Sequence, residues 1–240
     1  METETGMSAT DAKATDLKAL AVEAGERLEG ATPIELLRWA VDTFGRRFVV
    51  SSSMGDGVLA SLAASVSPGV DVVFLDTGYH FAETLGTRDA VAQVYDVRVR
   101  TMLPLLTVAE QDAEYGAELW RRDPDACCAM RKVEPLGRGL ADYDAYASGL
   151  RRDEAPSRAH TKVVEWDAKR AKVKVNPIAA WTQQDLDSYV ADNAILVNPL
   201  ADDGYPSIGC APCTHRVAPG EDPRSGRWRG SQKTECGLHL

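Results

Sequence analysis

Residues 47–76 read RFVVSSSMGDGVLASLAASVSPGVDVVFLD, and this stretch decides the fold class. It opens with a short apolar run, RFVVSSS, which we interpret as a β-strand that runs into a loop of small residues. VLASLAASV is interpreted as a helix, and VDVVFLD as a second strand that breaks at TGYH. Buried strands that alternate with helices indicate a parallel sheet with crossover helices.

The same alternation continues along the chain. Helices are predicted at residues 17–28, 32–45, 81–95 and 181–193. In the second of them, Thr32 and Glu35 can form a capping box. Further strands are predicted at residues 97–103, 144–152 and 172–178. The sequence therefore predicts an α/β fold, a parallel β-sheet flanked by helices, with an irregular C-terminal tail.

Length, composition and charge limit the domain organisation and the classes of ligand that we expect. The chain has 240 residues, 44% of them hydrophobic, and a net charge of -9, which disfavours binding to nucleic acid or to an acidic membrane. Residues 1–16 are polar and lack the features of a signal peptide, so we expect a disordered leader on a cytoplasmic protein. A single domain is predicted at 17–213, and a flexible segment at 214–240.

The C-terminal segment differs in charge from the rest of the chain. It carries five Arg or Lys residues against three acidic ones. A local basic patch on an acidic chain suggests a small anionic ligand, and the alternative is a solvated basic tail.

Several predicted strands end in loops that could bind a ligand. In open parallel sheets, ligands bind beyond the carboxyl ends of the strands. Ser51, Ser52 and Ser53 offer hydroxyls and backbone amides before a helix, which suits an anion or a ribose. Asp76 and Thr77 could hold polar ligand atoms. Small-residue turns between a strand and a helix are common, so each loop alone is weak evidence.

Four of the five cysteines form two pairs, at Cys127 and Cys128 and at Cys210 and Cys213. Four thiolates suit zinc or an iron–sulfur cluster. Adjacent cysteines cannot easily bind one small ion together, but they can bind two irons of a cubane. The alternative is a buried apolar pair with a redox-active CxxC. Lys132 follows Cys128 by one helical turn, where its charge could offset that of a cluster.

Several motifs together resemble one family over about residues 45–240. They are SSSMGDG (51–57), LDTGYHFAET (75–84), CCAMRKVEPL (127–136), GLRRDEAPSR (149–158), YPSIGCAPCT (205–214), DPRSGRWRG (222–230) and TECGLHL (234–240). In these motifs the chain resembles the sulfonucleotide reductases, specifically the assimilatory adenylyl-sulfate (APS) reductases. The paired cysteines matter most, because reductases of the 3′-phosphorylated nucleotide (PAPS) usually lack them.

The resemblance implies a fold, a cofactor and a set of site residues. The fold would be adenine-nucleotide α-hydrolase-like. A 4Fe-4S cluster would be bound by Cys127, Cys128, Cys210 and Cys213. The adenosine would contact Ser51, Ser52, Ser53, Leu75, Asp76, Thr77, Gly78 and Gly149. The phosphosulfate would contact Lys132, Arg158, Arg224 and Arg227. Cys236 would be the catalytic nucleophile, with His239 beside it in the same motif.

The resemblance also implies the reaction. APS would be reduced to sulfite and AMP in sulfate assimilation through an S-sulfocysteine on Cys236, and thioredoxin or a similar dithiol would release the sulfite. Nearby Arg and Lys would stabilise the thiolate and the leaving phosphate.

Three other functions remain open from the sequence. The first is reduction of PAPS instead of APS. The second is an adenylating or thiolating ATP pyrophosphatase of the same fold, whose first loop normally reads SGGxDS where this chain has SSSMGDG. The third is an iron–sulfur sensor without enzymatic activity, which would not depend on Cys236.

Overall fold

The computed structural model describes residues 9–238, with only the backbone described for residues 9–11. The described helices are α1 Ala9–Arg27, α2 Pro33–Phe44, α3 Val58–Val66, α4 Ala82–Val94, α5 Val108–Tyr115, α6 Leu119–Arg122, α7 Pro124–Cys128, α8 Glu134–Gly139 and α9 Gln183–Asp192. The strands are β1 Phe48–Ser52, β2 Val70–Leu75, β3 Val97–Met102, β4 Ala145–Ser148, β5 Val164–Asp167 and β6 Lys172–Val175.

The strands of the described residues form one six-stranded sheet in the order β3-β2-β1-β4-β6-β5. All neighbouring pairs are parallel except β5 with β6, which is antiparallel. The chain order reverses at β1, which lies between β2 and β4. Ligands of open α/β sheets bind at such a switch point, beyond the carboxyl ends of the central strands.

The core has two halves, one on each face of the sheet. Alternate residues of a strand point to opposite faces, so Val50 and Phe74 pack on one face while Val49 and Val73 pack on the other. The first face is covered by apolar side chains of α1, α2 and α3. The second is covered by Leu136 and the residues that follow it. Helices on both faces confirm the predicted α/β layering.

The N-terminal helix begins earlier than predicted. Helix α1 starts at Ala9, so residues 9–16 are helical and that part of the predicted disordered leader was wrong; residues 1–8 lie outside the described part of the chain. The segment has few apolar residues, which hid its periodicity. Lys13 nevertheless pairs with Asp144 at 2.8 Å, and this contact joins the helix to the residue that precedes β4.

Two other regions of the fold were not predicted. Strand β5 is a short edge strand of the sequence VEWD, and it pairs with β6. Between β3 and β4, the chain folds as four short helices, α5 to α8, with a π-helical turn at Ala129–Val133 between the last two. Within residues 9–238, no helix is long and apolar enough to cross a membrane.

Candidate active site

The serine loop lies at the switch point. Ser51 is paired in register with Val73 of β2 and with Ser148 of β4, so the loop stands between the ends of both neighbouring strands. The chain turns sharply at Met54, whose φ of 59° is in the left-handed region and whose N–H donates to Ser52 Oγ at 3.2 Å. Ser51 and Ser52 are half-buried and Ser53 is exposed, so the loop is open to a ligand.

The loop after β2 is built around Thr77. Leu75 is the last residue of the strand, and the Asp76 side chain accepts a hydrogen bond from the N–H of Gly78 at 3.0 Å. Gly78 has φ 72°, and a Cβ at this position would lie 2.9 Å from Nη2 of Arg131. Only glycine therefore fits this turn without displacing Arg131.

Gly149 follows β4 on the other side of the serine loop. A Cβ at this position would meet only the Cδ1 of Ile178, at 4.0 Å, and the backbone does not need a positive φ. Packing within the described protein therefore does not require glycine here. The contact of Gly149 with the adenosine stays a prediction, and a ligand close to the backbone would be a reason for glycine here.

The four paired cysteines meet in one narrow cavity. Cys127 and Cys128 end α7, a short helix that begins with the side chain of Asp123 accepting from the N–H of Ala126 at 2.9 Å. The second pair is held by a tight turn in which the Cys213 N–H donates to the Cys210 carbonyl at 2.9 Å. The cavity is lined by all four cysteines, by Tyr79, Trp120, Pro124 and Trp228, and by Arg131 and Lys132.

The cavity isolates the thiols from water. The four paired cysteines are buried, and all five cysteines are free. Burial and the neighbouring sulfurs raise the pKa of Cys127 to about 12 and that of Cys213 to about 11. Such thiols are protonated at neutral pH unless positive charge compensates the thiolate, as a bound metal does.

The four sulfurs are a donor set whose chemistry suits a metal centre. Among the described residues, no three His, Cys, Asp or Glu side chains converge closely enough to hold one metal ion. Four buried sulfurs around one cavity suit a cluster in which separate thiolates bind separate metal atoms. A hydrogen bond between the Thr77 hydroxyl and Cys210 Sγ, at 3.3 Å, links this cavity to the loop after β2.

Two cations from the turn after Cys128 enter the same region. Lys132 is buried; burial lowers its pKa, but Cys210, Cys236 and Cys128 raise it, and the net shift is upward. Arg131 is also buried and donates to the carbonyl of Thr77 and to Gln111 Oε1. Arg131 was not predicted as a site residue, although a second basic residue directly before Lys132 could have suggested one.

The C-terminal segment packs over this cavity. Trp228 is buried against Cys210 and Cys213, and the half-buried Cys236 packs on the same cluster. Lys233 pairs with Asp125 of α7. The fifth cysteine therefore lies beside the other four without being one of the cavity-lining set. His239 lies outside the described residues.

Arg227 reaches the cavity from the C-terminal segment. Its guanidinium lies 4.4 Å from the centroid of the Trp228 ring, and its Nε is buried with no hydrogen-bond partner among the described atoms. Burial lowers the pKa of Arg227, with nearby Arg224 adding to the effect and the thiolate of Cys236 opposing it. A half-buried cation with a buried, unused donor is suited to an anionic ligand.

Arg158 and Arg224 converge on a different group. Arg158 lies in the loop after β4, and both guanidinium groups donate to the carboxylate of Glu235. Sequence reasoning brought the two arginines together but missed Glu235, which is buried and directly precedes Cys236. A long-range ion pair of this kind leaves no local pattern in the sequence.

Comparison with known proteins identifies the family. A family model described as the phosphoadenosine phosphosulfate reductase domain matches residues 47–216. The chain belongs to this family. The matched residues contain all six strands and the four paired cysteines.

Curated relatives extend the similarity over nearly the whole chain. An adenosine 5'-phosphosulfate reductase of Streptomyces coelicolor is 64% identical over 224 residues, covering 93% of this chain and 95% of the relative. An adenosine 5'-phosphosulfate reductase of Mycolicibacterium smegmatis is 55% identical over 231 residues, covering 96% of this chain and 98% of the relative.

Solved structures agree on the fold. The phosphoadenylyl-sulfate reductase of Candida auris, in a phosphate complex, matches with a TM-score of 0.69 at 26% identity, covering 88% of this chain and 98% of that one. An FMN adenylyltransferase of Candida glabrata, in complex with FAD and inorganic pyrophosphate, matches with a TM-score of 0.56 at 13% identity. The match covers 93% of this chain and 85% of that one. The latter shows a shared fold alone. The predicted adenine-nucleotide α-hydrolase-like fold is confirmed.

Proposed function

We propose that this protein is an oxidoreductase that reduces adenosine 5'-phosphosulfate (APS) to sulfite and AMP in sulfate assimilation. The observation that carries the proposal is the position of Cys236, a half-buried thiol that shares its surroundings with Lys132 and Arg227. The relatives named adenosine 5'-phosphosulfate reductase support the choice of nucleotide.

The first step is a transfer to the enzyme. The Cys236 thiolate attacks the sulfonyl sulfur of APS, a sulfur–sulfur bond forms, and the bond from that sulfur to the bridging phosphate oxygen breaks. AMP leaves with the electron pair of the broken bond. Cys236 then carries an S-sulfonate group, and no net reduction has taken place.

The second step supplies two electrons from a dithiol protein, for which we propose thioredoxin. One donor thiolate attacks Sγ of Cys236, and sulfite leaves with the electron pair of the sulfur–sulfur bond. The second donor thiol then resolves the mixed disulfide, which restores the Cys236 thiol and oxidises the donor to a disulfide. Five free cysteines suit a reducing compartment, so we place the protein in the cytoplasm.

The cations around Cys236 would favour the first step by reducing the repulsion between two negatively charged reactants. A thiolate and a phosphosulfate repel each other, and positive charge from Lys132 and Arg227 offsets that repulsion. Arg158 and Arg224 would bind the same anion from the other side. His239 follows Cys236 by three residues, and we propose that it contacts the substrate or the leaving group.

The adenosine would occupy the switch point of the sheet. The serine loop at 51–53, the loop at Leu75–Gly78 and Gly149 lie on three neighbouring strands, β1, β2 and β4. The contact between Thr77 and Cys210 brings this nucleotide site next to the cysteine cavity.

A 4Fe-4S cluster would be held by Cys127, Cys128, Cys210 and Cys213, whose burial and sulfur donors suit it. When bound, it would supply a fixed scaffold and local charge, since the donor thiols already provide both electrons. Lys132 of this chain would be close enough to interact electrostatically with the cysteine ligands and with the thiol of Cys236.

A single-turnover experiment tests the proposal. The protein is incubated with APS labelled on sulfur and without reductant, and the label that stays on the denatured protein is counted. We expect about one label per wild-type chain and none on Cys236→Ser. Ser225→Ala, an exposed substitution in the same segment, should retain the label. An unlabelled wild type would overturn the covalent mechanism.

Reduction of PAPS is the second candidate, because the matching family model and the Candida auris structure carry that name. Purified protein offered equal amounts of both nucleotides, with a dithiol donor, should release sulfite mainly from APS. Equal release from both would show that the site does not discriminate at the 3′ position.

A further inference from the structure

Four cationic side chains are proposed to bind the phosphosulfate. The carboxylate of Glu235 binds two of them, Arg158 and Arg224. Its Oε1 accepts from Nε of Arg158 and its Oε2 from Nη2, both at 2.8 Å. The same Oε2 accepts from Nη2 of Arg224 at 3.2 Å. Two parallel bonds from one guanidinium are the arrangement that Arg also offers to phosphate or sulfate oxygens.

The contact is well sheltered from water. The Glu235 side chain is 6% exposed, and those of Arg158 and Arg224 are 12% and 16% exposed. Ser157 adds a further hydrogen bond to Oε1 at 3.2 Å. Arg158 also pairs with Glu154 through its remaining nitrogen, Nη1, so its guanidinium is held by two carboxylates at once. A charge pair this buried is screened by salt much less than an exposed pair.

The other two cations are not paired in this way. Among residues 9–238, neither Lys132 nor Arg227 forms an ion pair with a carboxylate. The four proposed anion contacts thus divide into two cations without a carboxylate partner and two cations held by Glu235. Because Glu235 directly precedes Cys236, the contact with the second pair fixes where the thiol lies.

We infer that Glu235 is a positioning residue that serves as an internal anion. Without substrate, it binds Arg158 and Arg224 and so docks Cys236 beside the cavity. The phosphosulfate requires the same two guanidinium groups, so substrate binding and docking by Glu235 compete. The carboxylate is displaced when APS binds and returns when the anion leaves. This inference rests on the proposed function, because it assumes that these arginines bind the substrate.

Competition has a measurable consequence for affinity. A binding site that is occupied most of the time by an internal competitor has an apparent affinity reduced by the fraction that is free. Glu235→Gln keeps the size of the side chain and removes its charge. APS should then bind about five- to tenfold more tightly, whereas adenosine, which has no anionic group, should bind as before.

The binding arm uses the holoprotein with Cys236→Ser, which prevents reaction. Dissociation constants for APS and adenosine are measured for this variant, for Glu235→Gln/Cys236→Ser and for Glu221→Gln/Cys236→Ser as control, since Glu221 is an exposed acid of the same segment. Tighter APS binding with Glu235→Gln alone supports competition. Equal or weaker APS binding overturns it, because a merely structural role would not improve affinity.

The docking arm uses no nucleotide. Iodoacetamide alkylation of Cys236 is followed by mass spectrometry of the C-terminal peptide, in the Cys236-containing protein with and without Glu235→Gln. Loss of the dock should accelerate alkylation about tenfold or more, and an unchanged rate overturns docking by Glu235. If the Cys236→Ser protein fails to bind APS at all, the proposed function is wrong, and this arm still decides whether Glu235 docks the thiol.

Discussion

The hydroxyl oxygen of Thr77 lies 3.3 Å from the sulfur of Cys210, and this contact joins the loop after β2 to the second cysteine pair. Thr77 is 1% exposed, and its oxygen also accepts from the N–H of Tyr79 at 3.2 Å. One buried oxygen therefore organises the loop after β2 and one wall of the cavity together.

Replacement of Thr77 by valine should destabilise the fold by about 1–2 kcal/mol, because the partly buried N–H of Tyr79 loses its acceptor while the shape is kept. Denaturant unfolding of the holoprotein measures the difference. Thr101→Val on exposed β3 is the control and should change stability by less than about 0.5 kcal/mol. Equal effects of the two substitutions would mean that the Thr77 hydroxyl has no structural role.

Cys127→Ser should lose bound iron, because a hydroxyl is a poor substitute for one of four thiolate ligands. Iron and acid-labile sulfide are measured per chain after purification without oxygen. Cys236→Ser should keep the wild-type iron content, since this thiol does not line the cavity. Equal iron in the Cys127→Ser protein would contradict the ligand assignment.

Removal of residues 231–240 should stop sulfite release and leave the iron content unchanged. The deleted part begins after Trp228, whose ring stays to close the cavity. Trp228→Ala in the full-length chain should instead lower the iron content, because the cavity loses an apolar wall. Loss of iron from the truncated protein would show that the final residues also hold the cluster.

Arg227→Met should lower kcat/KM for APS by about 100-fold or more, since removal of a buried, preorganised donor near developing charge costs that much. Arg229→Met, two residues further on and exposed, is the matched control and should stay within about threefold of wild type. Steady-state sulfite release measures both. Similar losses in the two variants would assign the effect to packing of the segment.

Asp144 should contribute to acid stability. Hydrogen bonds from Arg47 and Lys13 outweigh burial and lower its pKa from 3.8 to about 2. A depressed pKa stabilises the fold above pH 3.8, and the contribution disappears as the pH falls through about 2. After allowance for solvent screening, the contribution at neutral pH is about 1 kcal/mol.

The test compares unfolding of Asp144→Asn and wild type at several pH values. The stability difference should be largest at neutral pH and should shrink toward zero as the pH falls from 4 to 2. The neighbouring, exposed Asp142 gives the control, Asp142→Asn, for which little difference is expected. If the difference in free energy of unfolding were the same at every pH, the charge of Asp144 could not be its cause.

Sequence reasoning predicted the parts of the site that follow from chain connectivity. Parallel strands end at one edge of the sheet, so the serine loop, the loop at Leu75–Gly78 and Gly149 had to lie together. The four cysteines were grouped because their residue type suits few other purposes. The structure places them around one cavity, as expected.

The unpredicted parts depend on contacts between distant segments. The ion pair of Arg158 and Glu235 joins residues 77 positions apart, and no periodicity encodes it. Strand β5 is only four residues long and half polar, so its pairing with β6 decides its conformation. The short helices around Cys127 and Cys128 are likewise set by packing around the cavity, since helices this short are not stable alone.

Trp228 is buried beside the cysteine cavity, so the distance that Cys236, the proposed nucleophile, can travel depends on the chain between these two residues. Cys236 follows Trp228 by eight residues, a tether that spans at most about 27 Å when fully extended. A compact chain of this length has a radius of gyration of about 18 Å. In the proposed mechanism, the tether alone is therefore long enough to carry the thiol from the nucleotide to the surface of the donor protein. Transfer of the sulfonate sulfur from APS to the donor protein would then need only movement of residues 229–236, and the sheet could stay fixed.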